Sequence, residues 1–174
     1  TSNHLSRVHH VDIANGIIVH RLPTWFTLSN TPINPLWYLW LRRYVRRNRP
    51  ALVHAHAPVP FIADIAVRVA GSTPTVLTYH SGSMKKGKAL LDILIDVYEK
   101  TVLRGTFARA SRIVAVSPSF ANTALLRFAS KTSVIPPAID TGRFRRSPLP
   151  TGAPVVTFVG RIERSSSWKG IVPL

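Results

Sequence analysis

The chain has 174 residues, no cysteine, and 23 Lys+Arg against 7 Asp+Glu, a formal net charge of +16. Lack of cysteine excludes a disulfide framework and zinc–thiolate sites. A hydrophobic fraction of 45% with mean hydropathy +0.12 excludes disorder by composition and fills the core of an ordinary domain. The charge favours polyanions, anionic lipid surfaces or phosphorylated substrates. Acid–base chemistry must use histidine or one of Asp12, Asp64, Asp92, Asp96, Glu99, Asp140 and Glu163. No apolar run reaches the ~18–20 residues that span a bilayer. Thr1 opens the chain with no signal-peptide core behind it, so the N-terminus is read as processed or missing.

In chain order, GIIVHRL (16–22) is the first predicted strand. Asn34-Pro35 then supplies a helix cap and first-turn proline, and Trp37, Trp40, Leu41 and Tyr44 recur at helical spacing. The opposite face carries Arg42, Arg43, Arg46 and Arg47, and Pro50 ends the segment. Further strands are ALVHAHA (51–57), TVLTYH (75–80), RIVAVS (112–117), TSVIP (132–136) and VVTFVG (155–160). Helices are predicted at about 59–70, closed by Gly71, at about 88–107, with Asp96 and Lys100 as an i,i+4 pair, and after Ser117-Pro118. The alternation argues for an α/β domain whose parallel sheet has helices on both faces. Functional loops in such sheets lie beyond the strands' carboxyl ends. RFRRSPLPTGAP (143–154) reads as an interdomain linker.

Each motif admits a functional and a structural reading. His80 ends a buried strand ahead of Ser81-Gly82-Ser83. It either touches a phosphate or reacting group, aided by backbone N–H groups and a following helix dipole, or simply closes the strand. His54 and His56 share a strand face and could ligate zinc or iron only with further ligands; otherwise they are a polar strand end beside a site. The Trp37/Trp40 and arginine helix is a scaffold with a solvated basic face, a membrane-surface contact, or a nucleic-acid contact without an accompanying motif. Arg161 and Lys169, around the turn after VVTFVG, are surface charges or an anion cradle.

The ordered set ALVHAHAP, TVLTYHSG, ASRIVAVSPS, VIPPAIDTGRF and VVTFVGRIERSSSWKG resembles the motifs of the retaining family 4 glycosyltransferases of GT-B architecture, over about residues 51–170. The resemblance implies two Rossmann-like domains facing a cleft. Residues 1–142 correspond to the acceptor-side domain, lacking its first strand–loop unit, and 143–154 to the linker. Residues 155–174 match the start of a truncated nucleotide-sugar domain, whose VVTFVG strand would be unpaired and prone to aggregate.

It further implies transfer of a sugar from a UDP- or GDP-linked donor, with retention of configuration and no metal or other cofactor. The acceptor would be a lipid-linked compound, a sugar or a small metabolite. By resemblance, Arg161 and Lys169 hold the donor diphosphate and His80 reaches the reacting centre. Ser81, Gly82 and Ser117 shape the acceptor side. The expected location is cytoplasmic, with peripheral contact at an anionic membrane through Trp37, Trp40, Arg42, Arg43, Arg46 and Arg47. The 174 residues alone are expected to be inactive.

A non-catalytic basic module binding an anionic membrane or nucleic acid is the alternative. Departures from the pattern are Ala51-Leu52 and Ser111 where aspartate is usual, a longer Arg161–Lys169 loop, and Ala138 where glycine is usual. Ala138 matters most if a positive φ is needed there.

Overall fold

The computed structural model describes residues 7–28, 31–85, 87, 89–145, 152, 157 and 159. The chain divides into two compact units, Thr1–Pro137 and Ala138–Leu174. Most of the expected strand at 155–160, the basic residues Arg161 and Lys169, and most of the linker lie outside the described residues.

The first unit opens with two hairpins. Strand β1 (His10–Ala14) pairs antiparallel with β2 (Ile17–Arg21), and β3 (Phe26–Leu28) with β4 (Thr31–Ile33). The turn between β1 and β2 is Asn15-Gly16, with φ of 51° and 77°. These left-handed values suit a tight hairpin, and Asn-Gly is its strongest sequence signal. The GIIVHRL strand therefore exists, but it pairs with HVDIA and not with the parallel sheet.

Helix α1 (Trp37–Asn48) starts later than Asn34-Pro35 suggests. The Asn34 side chain accepts from Leu36 N–H and donates to the Pro23 carbonyl, so it closes the turn that leads into the helix. The Trp37 indole donates to the same carbonyl at 2.8 Å.

The remaining strands form one four-stranded parallel sheet in the order β5-β6-β7-β8: Val53–Ala57, Thr75–Tyr79, Arg112–Ala115 and Thr132–Val134. Between them run α2 (Ile62–Val69), then α3 (Ala89–Tyr98), a π-helical turn (Glu99–Leu103) and α4 (Arg104–Arg109). Helix α5 (Pro118–Asn122) and a 3₁₀ segment (Leu126–Lys131) precede β8. Ser117 caps α5 as its sequence predicts, accepting from Phe120 N–H. The sheet flanked by helices gives the Rossmann-like α/β class.

One sheet face carries Ala55, Ala57, Leu77, Tyr79, Ile113 and Ala115, all buried with Ala63, Val67, Leu103 and Phe107 from the helices. Alanines on the outer strands let α2 approach, and the central Tyr79 meets Phe107 edge-to-face at 5.2 Å. Right-handed crossovers that step in one direction across a sheet place their helices on one face. On the other face His54, His56 and His80 are exposed, so the expected second helical layer does not cover β5 among the described residues.

Candidate active site

The register explains how the histidines meet. His54 and His56 lie opposite Val76 and Thr78 on the parallel neighbour, which brings His80 alongside His56. His56 Nδ1 and His80 Nε2 are 2.8 Å apart, and His54 Nε2 lies 2.8 Å from Thr78 Oγ1. The rings form a row with centroid spacings of 4.5 Å (His54–His56) and 5.0 Å (His56–His80). Partial desolvation, and then the neighbouring His54 and His80, lower the His56 pKa from its ordinary 6.5. The surroundings thus favour the neutral form of His56, whose Nδ1 holds the His80 ring through Nε2. Among the described residues no group of three or more His, Cys, Asp or Glu could hold a metal ion. Of the H-x-H pair, His56 contacts His80 and His54 contacts Thr78.

The loops leave the sheet at one level. His80 N–H donates to Ala57 O, Val116 N–H to Tyr79 O and Ile135 N–H to Ala115 O. Beyond His80, the Tyr79 hydroxyl donates to Gly82 O at 2.9 Å. Burial, then Glu99, pushes the Tyr79 phenol up to about 12, so it stays a donor. Glu99 in the π turn accepts from Ser83 Oγ and Met84 N–H, and Ser83 Oγ accepts from Lys85 N–H. Among the described residues, the N–H groups of Ser81 and Gly82 have no acceptor. Helix α3 begins only at Ala89, so the expected dipole does not open directly behind this loop.

Ser117 stands on the adjacent strand end, half-buried, with its hydroxyl used as the cap. Ala138 is not among the residues with positive φ, so alanine is unstrained there. The Asp140 carboxylate closes the following turn by accepting from Gly142 and Arg143 N–H.

The α1 residues separate into two groups. Trp37, expected at a membrane surface, is 1% exposed and belongs to the interior, with its indole N–H held by the Pro23 carbonyl. Trp40 is half-buried and stacks on Tyr44 at 5.0 Å. Arg42, Arg43, Arg46 and Arg47 are exposed, and none forms an ion pair among the described residues.

Two features escaped the sequence reading. Asp64 accepts from Phe61 N–H (2.8 Å), Tyr98 Oη (2.7 Å) and Thr106 Oγ1 (2.5 Å), tying the β5–α2 loop to the long helix. Burial, then the Asp64 carboxylate, drives the Tyr98 phenol far above its ordinary range. The second feature is a cavity of about 400 Å³ between the β3–β4 hairpin, that loop and α3. No sequence pattern announces it, since its walls are distant along the chain.

The Rossmann-like α/β sheet carries a row of imidazoles and a pinned Ser-Gly-Ser loop at its carboxyl edge, where such sheets place their functional loops. The chain belongs to Glycosyltransferase Family 4, whose family model matches residues 3–143. No curated protein and no solved structure matches the chain. Family membership implies a sugar donor and an acceptor. No helix among the described residues is long and apolar enough to cross a membrane.

Proposed function

We propose that this chain contributes the acceptor-side domain of a retaining GT-B glycosyltransferase that uses a nucleotide-sugar. The observation that carries the reading is the His56–His80 hydrogen bond at the carboxyl edge of the parallel sheet, where the Ser81-Gly82 loop begins. In this reading His80, held by His56, meets the transferred sugar or its phosphate. Arg161 and Lys169 stabilise the charge that grows on the departing diphosphate, because fixed cations need no reorganisation as it develops. In this reading catalysis requires a complete nucleotide-sugar domain.

The test is transfer of labelled sugar from UDP- and GDP-sugars, by the 174-residue chain and by any longer chain that carries it. The short chain is expected to be silent. The longer one should retain anomeric configuration by NMR and lose roughly a hundredfold or more in kcat with His80→Ala. Inversion of configuration, or full activity of the variant, overturns the proposal. Contact of the α1 arginines with anionic lipid is part of the same reading and is supported by their exposure without carboxylate partners.

A further inference from the structure

The cavity of about 400 Å³ lies within the range of pockets that enclose small molecules, roughly 300–1,000 Å³. Its walls are almost wholly hydrocarbon: Leu28 and Ile33 from the β3–β4 hairpin, Phe61 from the β5–α2 loop, and Leu91 and Ile95 from α3. The polar groups that reach it are mostly occupied. Tyr98 Oη is held by Asp64 and Met84 N–H by Glu99. A polar ligand would lose its water there and gain few partners, whereas a hydrocarbon chain loses nothing.

Phe61 is positioned at a conformational cost. Its φ is 75°, and Ile62 N–H donates to Pro60 O at 3.1 Å, a γ-turn of the strained, positive-φ kind. That turn and the Phe61 N–H bond to Asp64 set a large aromatic wall that a relaxed loop would not hold in this place.

Two further observations say what enters. The first is an apolar strip leading away from the cavity. On α3, Leu90 (76% exposed), Ile93, Leu94 (57%) and Val97 recur at i, i+3, i+4 and i+7, and Leu94 also lines the cavity. The second is proximity to the imidazole row. Pro58 in the wall is two residues beyond His56, so at about 3.8 Å per residue its Cα lies within about 8 Å of that of His56. The wall residue Met84 is four residues beyond His80.

We infer that the cavity holds the hydrocarbon chain of a lipid-anchored sugar acceptor, entering along the α3 strip and presenting its polar head to His80. The acceptor role rests on the proposed function; the chain-binding cavity does not.

The experiment uses 11-(dansylamino)undecanoic acid, whose fluorescence rises in apolar surroundings, with the 174-residue chain. Saturable binding is expected. Dodecyl phosphate below its micelle concentration should displace the probe, and inorganic phosphate should not. Ile95→Trp, which fills the cavity, should weaken binding roughly tenfold or more. Leu126→Ser, at an exposed apolar residue that belongs neither to the cavity wall nor to the α3 strip, should change binding less than about twofold.

Absence of saturable binding by the folded chain overturns the inference. So does equal weakening by Leu126→Ser, which means adsorption to the apolar surface at large. If Ile95→Trp does not fold, a diazirine fatty acid settles the matter: crosslinks must map to Phe61 or α3, and crosslinks elsewhere overturn it. Probe binding without any sugar transfer by the longer chain would remove the transferase reading and leave the cavity assignment standing.

Discussion

Ser111 stands where aspartate is usual in the resembled motif, and the structure shows why serine serves. Its Oγ accepts from Thr75 N–H, and its own N–H donates to Thr75 Oγ1, both at 3.0 Å. This reciprocal clasp joins the starts of β6 and β7 around a buried Thr75. Ser111→Ala leaves the Thr75 N–H unpaired and is expected to cost about 1–3 kcal/mol in urea unfolding. Ser111→Asp keeps an acceptor and should stay within about 1 kcal/mol of the parent.

His56 gives the second residue-scale prediction. Its folded pKa is lowered, so the fold favours the neutral ring and the unfolded chain binds the proton more readily. The stability it contributes is present above its ordinary pKa of 6.5 and is lost as pH falls below that value. His56→Gln should therefore flatten the decline in melting temperature between about pH 7.5 and pH 5. An unchanged slope would show that the imidazole row carries no such linkage.

Among the elements, the long helical run 89–109 is fastened through Asp64. That carboxylate closes the turn before α2 and reaches both Tyr98 and Thr106. Asp64→Ala is expected to cost about 2–3 kcal/mol, since bonds to a charged acceptor are the stronger kind. It should also enlarge the apolar cavity, read as weaker retention of the dansyl probe. The Lys85–Asp96–Lys100 bridges on the same run are exposed and should contribute little by comparison.

Helix α1 separates two tryptophans that one helical stripe had grouped. Trp37→Ala removes a buried ring bonded to Pro23 and should cost about 3–5 kcal/mol. Trp40→Ala should cost clearly less by the same denaturation. Arg42→Glu with Arg46→Glu should abolish co-sedimentation with vesicles of anionic lipid while leaving the melting temperature within a few degrees. Retained binding would place the lipid contact elsewhere, with the α3 strip as the next surface to test.

For the whole molecule, a net charge of +16 guarantees some salt-sensitive attraction to any polyanion, so such binding by itself discriminates nothing. The discriminating property is arrangement. Alternating apolar runs with turn and cap residues made the strands and helices of residues 51–134 legible, because period and punctuation are local properties. The β1–β2 hairpin has an equally local signal in Asn15-Gly16, but its first strand, HVDIA, is too short for alternation alone to announce it. His54 and His56 were legible as one face of a strand.

The His56–His80 bond was not legible, because it depends on the register between β5 and β6, which no pattern encodes across a separation of 24 residues. The burial of Trp37, the clasp at Asp64 and the apolar cavity likewise arise from segments brought together only by folding. The sequence by itself determined the element types, the family and the chemistry available at each strand end. The tertiary structure decided which of those side chains meet, since contact is set by strand register and helix docking, and these depend on the packing of the whole core.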